Sequence, residues 1–223
     1  YLGDCLDVMR GMPDKSVDAV ITDPPYSINT KSDGMGKLNP WADRVNAAFW
    51  YREWMGEARR IIKPTGCLWS FLNWRSFTTF QKASDDLSWP IESLLVWDKC
   101  WIGPGGPKGL RPSYELVGLW ACEKFSIVDR GLPDIQRFKW SSNKPTGHPA
   151  EKPLPLVKWL IEISTVEGAI VVDLFTGSGT TGVACVELER DFIGCEIDPN
   201  WHGYAERRIR QAQQQPLLWE AQS

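Results

Sequence analysis

Short apolar runs closed by glycine or proline alternate along this chain with longer stretches whose apolar positions recur every three or four residues. The first run, Val17-Asp18-Ala19-Val20-Ile21-Thr22, is rich in β-branched residues and ends at Asp23-Pro24-Pro25-Tyr26, where two prolines forbid a continued strand or helix. It predicts a buried strand with a rigid loop at its carboxyl end. From Ser27 to Asn46 no apolar period is visible, and Asn29, Asp33, Gly34, Gly36, Asn39 and Pro40 interrupt the span. Residues 27–46 therefore read as a long loop, of the kind that compact domains keep for function or mobility. Phe49, Trp50, Trp54, Ala58, Ile61 and Ile62 then recur at helical spacing over 47–62, and Lys63-Pro64-Thr65-Gly66 stops that pattern.

The alternation continues to the end of the chain. Strands are predicted over 67–72, 91–97, 114–121, 169–174 and 192–195, and helices from Asn73 to about Leu87, around Leu156, Leu160 and Ile163, from Thr180 to about Glu189, and from Asn200 to about Gln211. The second and third of these strands are joined by the glycine- and proline-rich stretch Gly103-Pro104-Gly105-Gly106-Pro107. Strands alternating with helices predict an α/β fold with a mostly parallel, twisted sheet and helices on both faces. The tail from Gln213 is polar apart from Leu217-Leu218-Trp219, which could dock elsewhere.

Composition narrows the class. A chain of 223 residues with 43% hydrophobic content suits one domain with a sizeable core, spanning 1–223. No apolar run approaches the roughly 20 residues of a membrane span, and the start lacks a charged segment followed by an apolar one, so no membrane partner and a cytoplasmic location are expected. The chain opens at Tyr1 rather than Met, which suggests a start upstream of it. Cysteines stand at 5, 67, 100, 122, 185 and 195 with no C-x-x-C pair, and the two histidines add no metal spacing, so free thiols and no metal site are expected. The formal charge of -3 excludes a uniformly basic surface, so any nucleic-acid contact must come from a local patch.

The first candidate chemistry is Val171-Val172-Asp173-Leu174-Phe175-Thr176-Gly177-Ser178-Gly179-Thr180-Thr181-Gly182, a strand, a glycine turn and a helix start. Gly177 to Gly182 satisfies G-x-G-x-x-G, and Glu196 lies 19 residues beyond Gly177 at the end of the next strand, where an acid can hold ribose hydroxyls. The glycines let backbone approach a ligand, and the helix start offers N–H groups to an anion. This signature alone fits a nicotinamide or flavin dinucleotide, as in an oxidoreductase, or S-adenosyl-L-methionine. It also fits a cofactor-binding subunit without turnover.

The proline loop is more specific. Asp23-Pro24-Pro25-Tyr26 resembles the D-P-P-Y loop of the amino-type DNA methyltransferases, which act on the exocyclic amine of adenine or, less often, cytosine. Gly3-Asp4-Cys5-Leu6 is similar to the family's G-D element, Asp173 to Thr181 to its D-x-F-x-G-S-G-T-T element, Gly194-Cys195-Glu196-Ile197-Asp198 to its G-x-E-x-D element, and His148-Pro149-Ala150-Glu151-Lys152-Pro153 to its H-P-x-x-K-P element. With the proline loop ahead of the glycine loop, the order is the circularly permuted one of the β group, and the implied fold is the Rossmann-like methyltransferase fold. The resemblance implies S-adenosyl-L-methionine as methyl donor, held by Asp4, Cys5, Asp23, Lys152, Asp173, Phe175, Gly177, Ser178, Gly179, Thr180, Thr181, Glu196 and Ile197. Lys152 would pair with the methionine carboxylate or stay solvated, and His148 would orient its loop.

The chemistry accords with these residues. An exocyclic amine shares its lone pair with the ring, and two acceptors aimed at its hydrogens favour a more nucleophilic, pyramidal nitrogen. The Asp23 carboxylate and the Pro24 carbonyl are the candidates, fixed by Pro24 and Pro25, and Tyr26 offers a face on which a flipped base can stack. Asp at position 23 favours adenine N6, since cytosine-N4 members more often carry Ser there.

The partner implied is double-stranded DNA. Between 99 and 144 stand eight basic residues, among them Lys99, Lys108, Arg111, Arg137, Lys139 and Lys144, against four acidic ones, a local +4 that leaves -7 for the rest of the chain. This stretch, 98–145, falls where the family places target recognition, and Lys31, Lys37 and Arg44 in the 27–46 loop could close over the flipped base. Trp50 and Trp54, on one helix face, and Trp159 on another are expected in the core, with a homodimer surface as the alternative.

Overall fold

The computed structural model describes residues 1–25, 44–103, 107–140, 146–148 and 150–214, with residues 44–46 described by their backbone alone. Tyr26, Lys31, Lys37, Lys144, most of the 27–46 loop and Leu217-Leu218-Trp219 thus lie outside the described residues.

Among the described residues the elements run α1 (Cys5–Arg10), β1 (Val17–Thr22), α2 (Arg44–Ile61), β2 (Ile62–Leu72), α3 (Phe77–Asp86), β3 (Ser93–Asp98), β4 (Tyr114–Ala121), β5 (Ile135–Arg137), α4 (Leu154–Ser164), β6 (Ile170–Asp173), α5 (Thr180–Glu187), β7 (Asp191–Gly194) and α6 (Pro199–Gln214). The strands form one sheet in the order β5-β3-β4-β2-β1-β6-β7. β1 pairs in parallel with both β2 and β6, β6 with β7, and β3 with β5, while β4 runs antiparallel to β2 and β3. The sheet is thus mostly parallel, as expected, and among the described strands β4 alone is reversed, antiparallel to both β2 and β3.

Both faces are covered. α1, α2 and α3 pack one side through Leu6, Met9, Trp54, Met55, Ala58 and Phe80, against Val20, Leu68 and Val172. α4 and α5 pack the other through Leu156, Val157, Leu160, Ile161 and Ala184, against Ala19, Ile21, Trp69 and Val171. Because β1 is buried on both faces, it reads as a continuous apolar run rather than an alternating one. Trp54 is wholly buried and Trp50 packs against the same core, so these indoles serve the interior. Trp159 packs on the opposite core. Several other indole N–H groups are satisfied internally, that of Trp69 by Ser164, of Trp97 by the Phe138 carbonyl and of Trp120 by Ser84.

Two boundaries differ from expectation. Arg44 to Asn46 already belong to α2, so the loop ends earlier than its sequence suggests. Lys63-Pro64-Thr65-Gly66 does stop the helix, but the chain passes directly into β2, because these residues bulge out of the pairing between Val17↔Ile62 and Ala19↔Cys67. Gly66 is required there, since a Cβ would lie 2.2 Å from the Asp18 carbonyl oxygen. Lys63 closes the bulge with an ion pair to Asp18 at 2.8 Å. Two elements were not anticipated. α1 is six residues long and β5 three, both too short for a period to show.

Candidate active site

β1 and β6 are neighbours, yet the chain leaves β1 through α2 on one face and leaves β6 through α5 on the other. The carboxyl ends of β1 and β6 therefore mark a topological switch point, the position where α/β sheets bind ligands. The proline loop leaves β1 at Asp23 and the glycine loop leaves β6 at Leu174, so the two motifs, some 150 residues apart in sequence, meet there.

Asp173 ties the two loops together. Its carboxylate accepts from the Thr22 hydroxyl at 2.8 Å, the Thr181 hydroxyl at 2.6 Å and the Phe175 N–H at 3.1 Å. Thr22 in turn accepts the Leu174 N–H at 3.1 Å. Burial pushes the Asp173 carboxyl up to about 6, partly opposed by these hydrogen bonds, and the field of Asp23 adds to the rise. Expected at the cofactor, Asp173 turns inward with Thr181 and shapes the turn. The turn itself needs Gly177 (φ +52°) and Gly179 (φ +82°), both left-handed, and a Cβ on Gly179 would meet Ala205 of α6 at 3.0 Å. Ser178 and Thr180 are also buried, so what the loop presents outward is chiefly backbone. His148 packs over Gly177 and meets Trp201 edge-on at 4.4 Å, in keeping with its orienting role.

The loop has a further brace that the sequence did not reveal. Arg208 of α6 donates to the Ser178 carbonyl at 3.1 Å and the Thr180 hydroxyl at 3.2 Å, and forms an ion pair with Glu151 at 3.1 Å. It links the glycine loop to the H-P-x-x-K-P segment.

The proline loop is held from two sides. The buried Tyr51 of α2 donates its hydroxyl to the Pro25 carbonyl at 2.9 Å, and its ring stacks on Phe80 at 4.3 Å. On the other side Lys152 Nζ sits 2.7 Å from Asp23 and 2.9 Å from Glu115. Lys152 is thus neither solvated nor poised for a distant carboxylate; its side chain is 11% exposed and committed to two protein carboxylates. Burial works against its charge, but Asp23 and Glu115 together raise its pKa above that of a free lysine. Glu115, a β4 residue that sequence reasoning passed over, is equally buried; burial opposes its charge too, but Lys152 and Lys99 hold its pKa down to about 2.

Around this switch point, Glu196 accepts the Gly177 N–H at 2.7 Å and the Asp198 N–H at 2.9 Å, one on each oxygen, which leaves each oxygen further acceptor capacity. Ile197 beside it is 68% exposed. Asp4 caps α1 by accepting the Leu6 N–H at 2.8 Å, whereas the Cys5 side chain is buried, leaving only its backbone for a ligand. Phe175 lies against Trp50 at 5.5 Å and Trp54 at 6.0 Å, partly buried at the edge of the core. α5 begins without a side-chain cap on its first N–H groups. An uncapped helix start, an acid with acceptor capacity to spare and an exposed apolar side chain fit a ligand with a carboxylate, a ribose and a purine, the parts of S-adenosyl-L-methionine.

The basic segment divides. Lys99, expected at DNA, pairs with Glu115 at 2.8 Å and is 20% exposed, which makes it part of the buried ion network. Arg111 donates to the carbonyls of Gly103 and Ile102, and Arg137 pairs with Asp98 at 2.9 Å while staying exposed. Lys108 and Lys139 are exposed. Among the described residues there is no cluster of His, Cys, Asp and Glu fit for a metal, and no helix long and apolar enough to cross a membrane.

Known proteins share this arrangement. The type II methyltransferase M2.MboI of Moraxella bovis is 27% identical over 244 residues, covering 95% of this chain and 87% of that protein. The M1.HpyAVI structure, solved as a complex with SAM, superposes with a TM-score of 0.72 at 25% identity, covering 94% of this chain and 97% of that one. The fold is also that of the PvuII DNA methyltransferase, described as cytosine-N4-specific, with a TM-score of 0.75 at 19% identity over 96% of this chain and 90% of that one. With the N6/N4-type DNA methylase pattern matching residues 17–207, from β1 to α6, the chain belongs to that family of DNA methyltransferases.

Proposed function

We propose that this protein methylates the exocyclic N6 amine of an adenine flipped out of double-stranded DNA. Its methyl donor is S-adenosyl-L-methionine, which supplies a sulfonium-activated methyl group. The observation that carries the reading is Asp23, set at the end of β1 on a loop that Pro24, Pro25 and Tyr51 make rigid. Its carboxylate and the Pro24 carbonyl accept the two amine hydrogens, so the nitrogen lone pair turns toward the methyl carbon as the N–C bond forms and the C–S bond breaks. The amine then loses one proton to solvent, and no covalent enzyme intermediate is needed.

The remaining assignments follow. Glu196 holds the ribose, Ile197 the purine, the backbone from Gly177 to Thr181 the amino-acid end, and Asp4 the adenine edge. Tyr26 stacks on the flipped base. Lys108, Arg111, Arg137 and Lys139 meet DNA phosphates, and Lys31, Lys37, Arg44 and Lys144 are assigned to DNA on their sequence alone. The fold does not separate adenine from cytosine, since a cytosine-N4 enzyme shares it; the acid at position 23 is what supports adenine. DNA incubated with the protein and S-adenosyl-L-methionine, then digested to nucleosides, yields N6-methyladenine by mass spectrometry. Recovery of N4-methylcytosine alone overturns the base assignment.

A further inference from the structure

The ion pairs around Lys152 join the catalytic strand to the hairpin beyond it. Lys152 stands just before α4, Glu115 is on β4, and Lys99 follows β3 and pairs with Glu115. The Lys152 ammonium also lies 4.8 Å from the centre of the Phe71 ring, so the network sits against apolar surface. Laying the 2.7 and 2.9 Å legs end to end puts the Asp23 and Glu115 oxygens within about 5.6 Å of each other. Two carboxylates this close in a partly dry site do not both stay ionised without a cation between them.

We propose that Lys152 and Glu115 are positioning residues for methyl transfer, acting through Asp23. Lys152 keeps Asp23 ionised beside a second carboxylate, so that Asp23 acts as a pure acceptor for the amine hydrogens. Glu115 anchors Lys152 in that place and in return makes the cation indispensable. The charged groups facing Asp23 are Lys152 from the segment before α4, Glu115 from β4 with Lys99 behind it, and Asp173 from the end of β6. Both Glu115 and Asp173 favour protonation of Asp23, and Lys152 opposes them. This inference rests on the reading of Asp23 as acceptor.

The test is single-turnover methyl transfer to DNA from about pH 5.5 to 9, with S-adenosyl-L-methionine affinity measured by calorimetry as a check on folding. The wild type is expected to be flat above about pH 7, below which Asp173, its pKa raised to about 6, begins to take up its proton. Lys152→Met brings an acid limb into that flat range, with the rate falling about tenfold per pH unit below the inflection. Lys152→Met/Glu115→Gln, which removes the competing carboxylate, moves that limb back toward acid, an outcome that loss of packing does not produce. Should Lys152→Met fail to bind the methyl donor, Lys152→Arg takes its place and is expected to keep the flat profile at a lower plateau. A flat profile for Lys152→Met, a double variant with the same limb as the single one, or an acid limb in Lys152→Arg overturns the proposal. A second variant at Asp23 separates the two layers. The variant for this is Asp23→Ala, because asparagine would keep an acceptor oxygen: if Asp23→Ala retains transfer, the acceptor reading itself falls; if it is inactive while the limbs fail to move, only the roles of Lys152 and Glu115 fall.

Discussion

Tyr51→Phe isolates one hydrogen bond at the catalytic loop. The ring is wholly buried, stacked on Phe80 and edge-on to Trp54, so phenylalanine keeps every packing contact and removes only the hydroxyl. What is lost is the 2.9 Å bond to the Pro25 carbonyl, whose replacement by water is opposed by the apolar surroundings. A buried acceptor left without a donor costs about 1–3 kcal/mol. If half of that appears in the transition state, where the Pro24 carbonyl must be aimed at the amine, the single-turnover rate falls about 2- to 13-fold. Affinity for S-adenosyl-L-methionine should hardly change, because Tyr51 braces the proline loop and not the glycine loop. The assay is single-turnover transfer with donor and DNA both saturating, alongside donor titration and thermal melting. A Phe variant that melts lower yet transfers within twofold of the wild-type rate would show that the bond serves stability alone and refute the bracing argument.

Two further predictions concern charge. Asp173, with its folded pKa raised to about 6, binds a proton more readily folded than unfolded, so its contribution to stability is full below about pH 4 and lost as the pH rises through 6. A carboxyl that titrates near 6 when folded and about 4 when unfolded changes stability by roughly 3 kcal/mol across that interval. Asp173→Asn should therefore remove that downward slope between about pH 4 and 6 in the difference of melting curves, and an unchanged difference would contradict it. Lys108→Glu and Lys139→Glu should each weaken DNA binding and reduce the slope of log affinity against log salt by about one, with methyl-donor affinity unchanged. Lys99→Gln, by contrast, should leave the salt slope intact, and a loss there equal to that of Lys108→Glu would return Lys99 to the DNA surface.

The parts of the site that were legible in the sequence share one property: their meaning is local. Asp23-Pro24-Pro25 states a rigid loop because proline fixes its own φ, and Gly177 and Gly179 state a tight turn because only glycine enters left-handed backbone cheaply. The strands were legible because burial on both faces turns them into short apolar runs. Tyr51, Glu115 and Arg208 were not, because each acts on a partner brought near only by the fold. Tyr51 lies 26 residues from Pro25, Glu115 lies 37 from Lys152, and Arg208 lies 30 from Ser178. Along the chain Tyr51 is one more aromatic on the apolar face of α2, Glu115 an acid at the start of a strand, and Arg208 one of several arginines on a charged terminal helix.

Counting charges by segment marks this limit. The local +4 between 99 and 144 treats Lys99, Arg137 and Lys108 alike, because sign is all that a sequence carries. In the folded chain Lys99 is buried on Glu115, Arg137 is exposed but paired with Asp98, and Lys108 stands in solvent. A phosphate must displace Asp98 to gain Arg137, gains Lys108 at little cost, and would have to dismantle the support of Lys152 to gain Lys99. Access and prior partnership, not the tally, thus divide a basic segment into exposed residues, proposed to meet DNA, and residues linked through Glu115 and Lys152 to Asp23. The same stretch of chain serves both ends, since β4 carries Glu115 at its first turn into the sheet and the exposed hairpin just before it. A hairpin placed to touch DNA is anchored through Glu115 and Lys152 to Asp23, so mutations that loosen the buried pair should also be felt as losses in target discrimination.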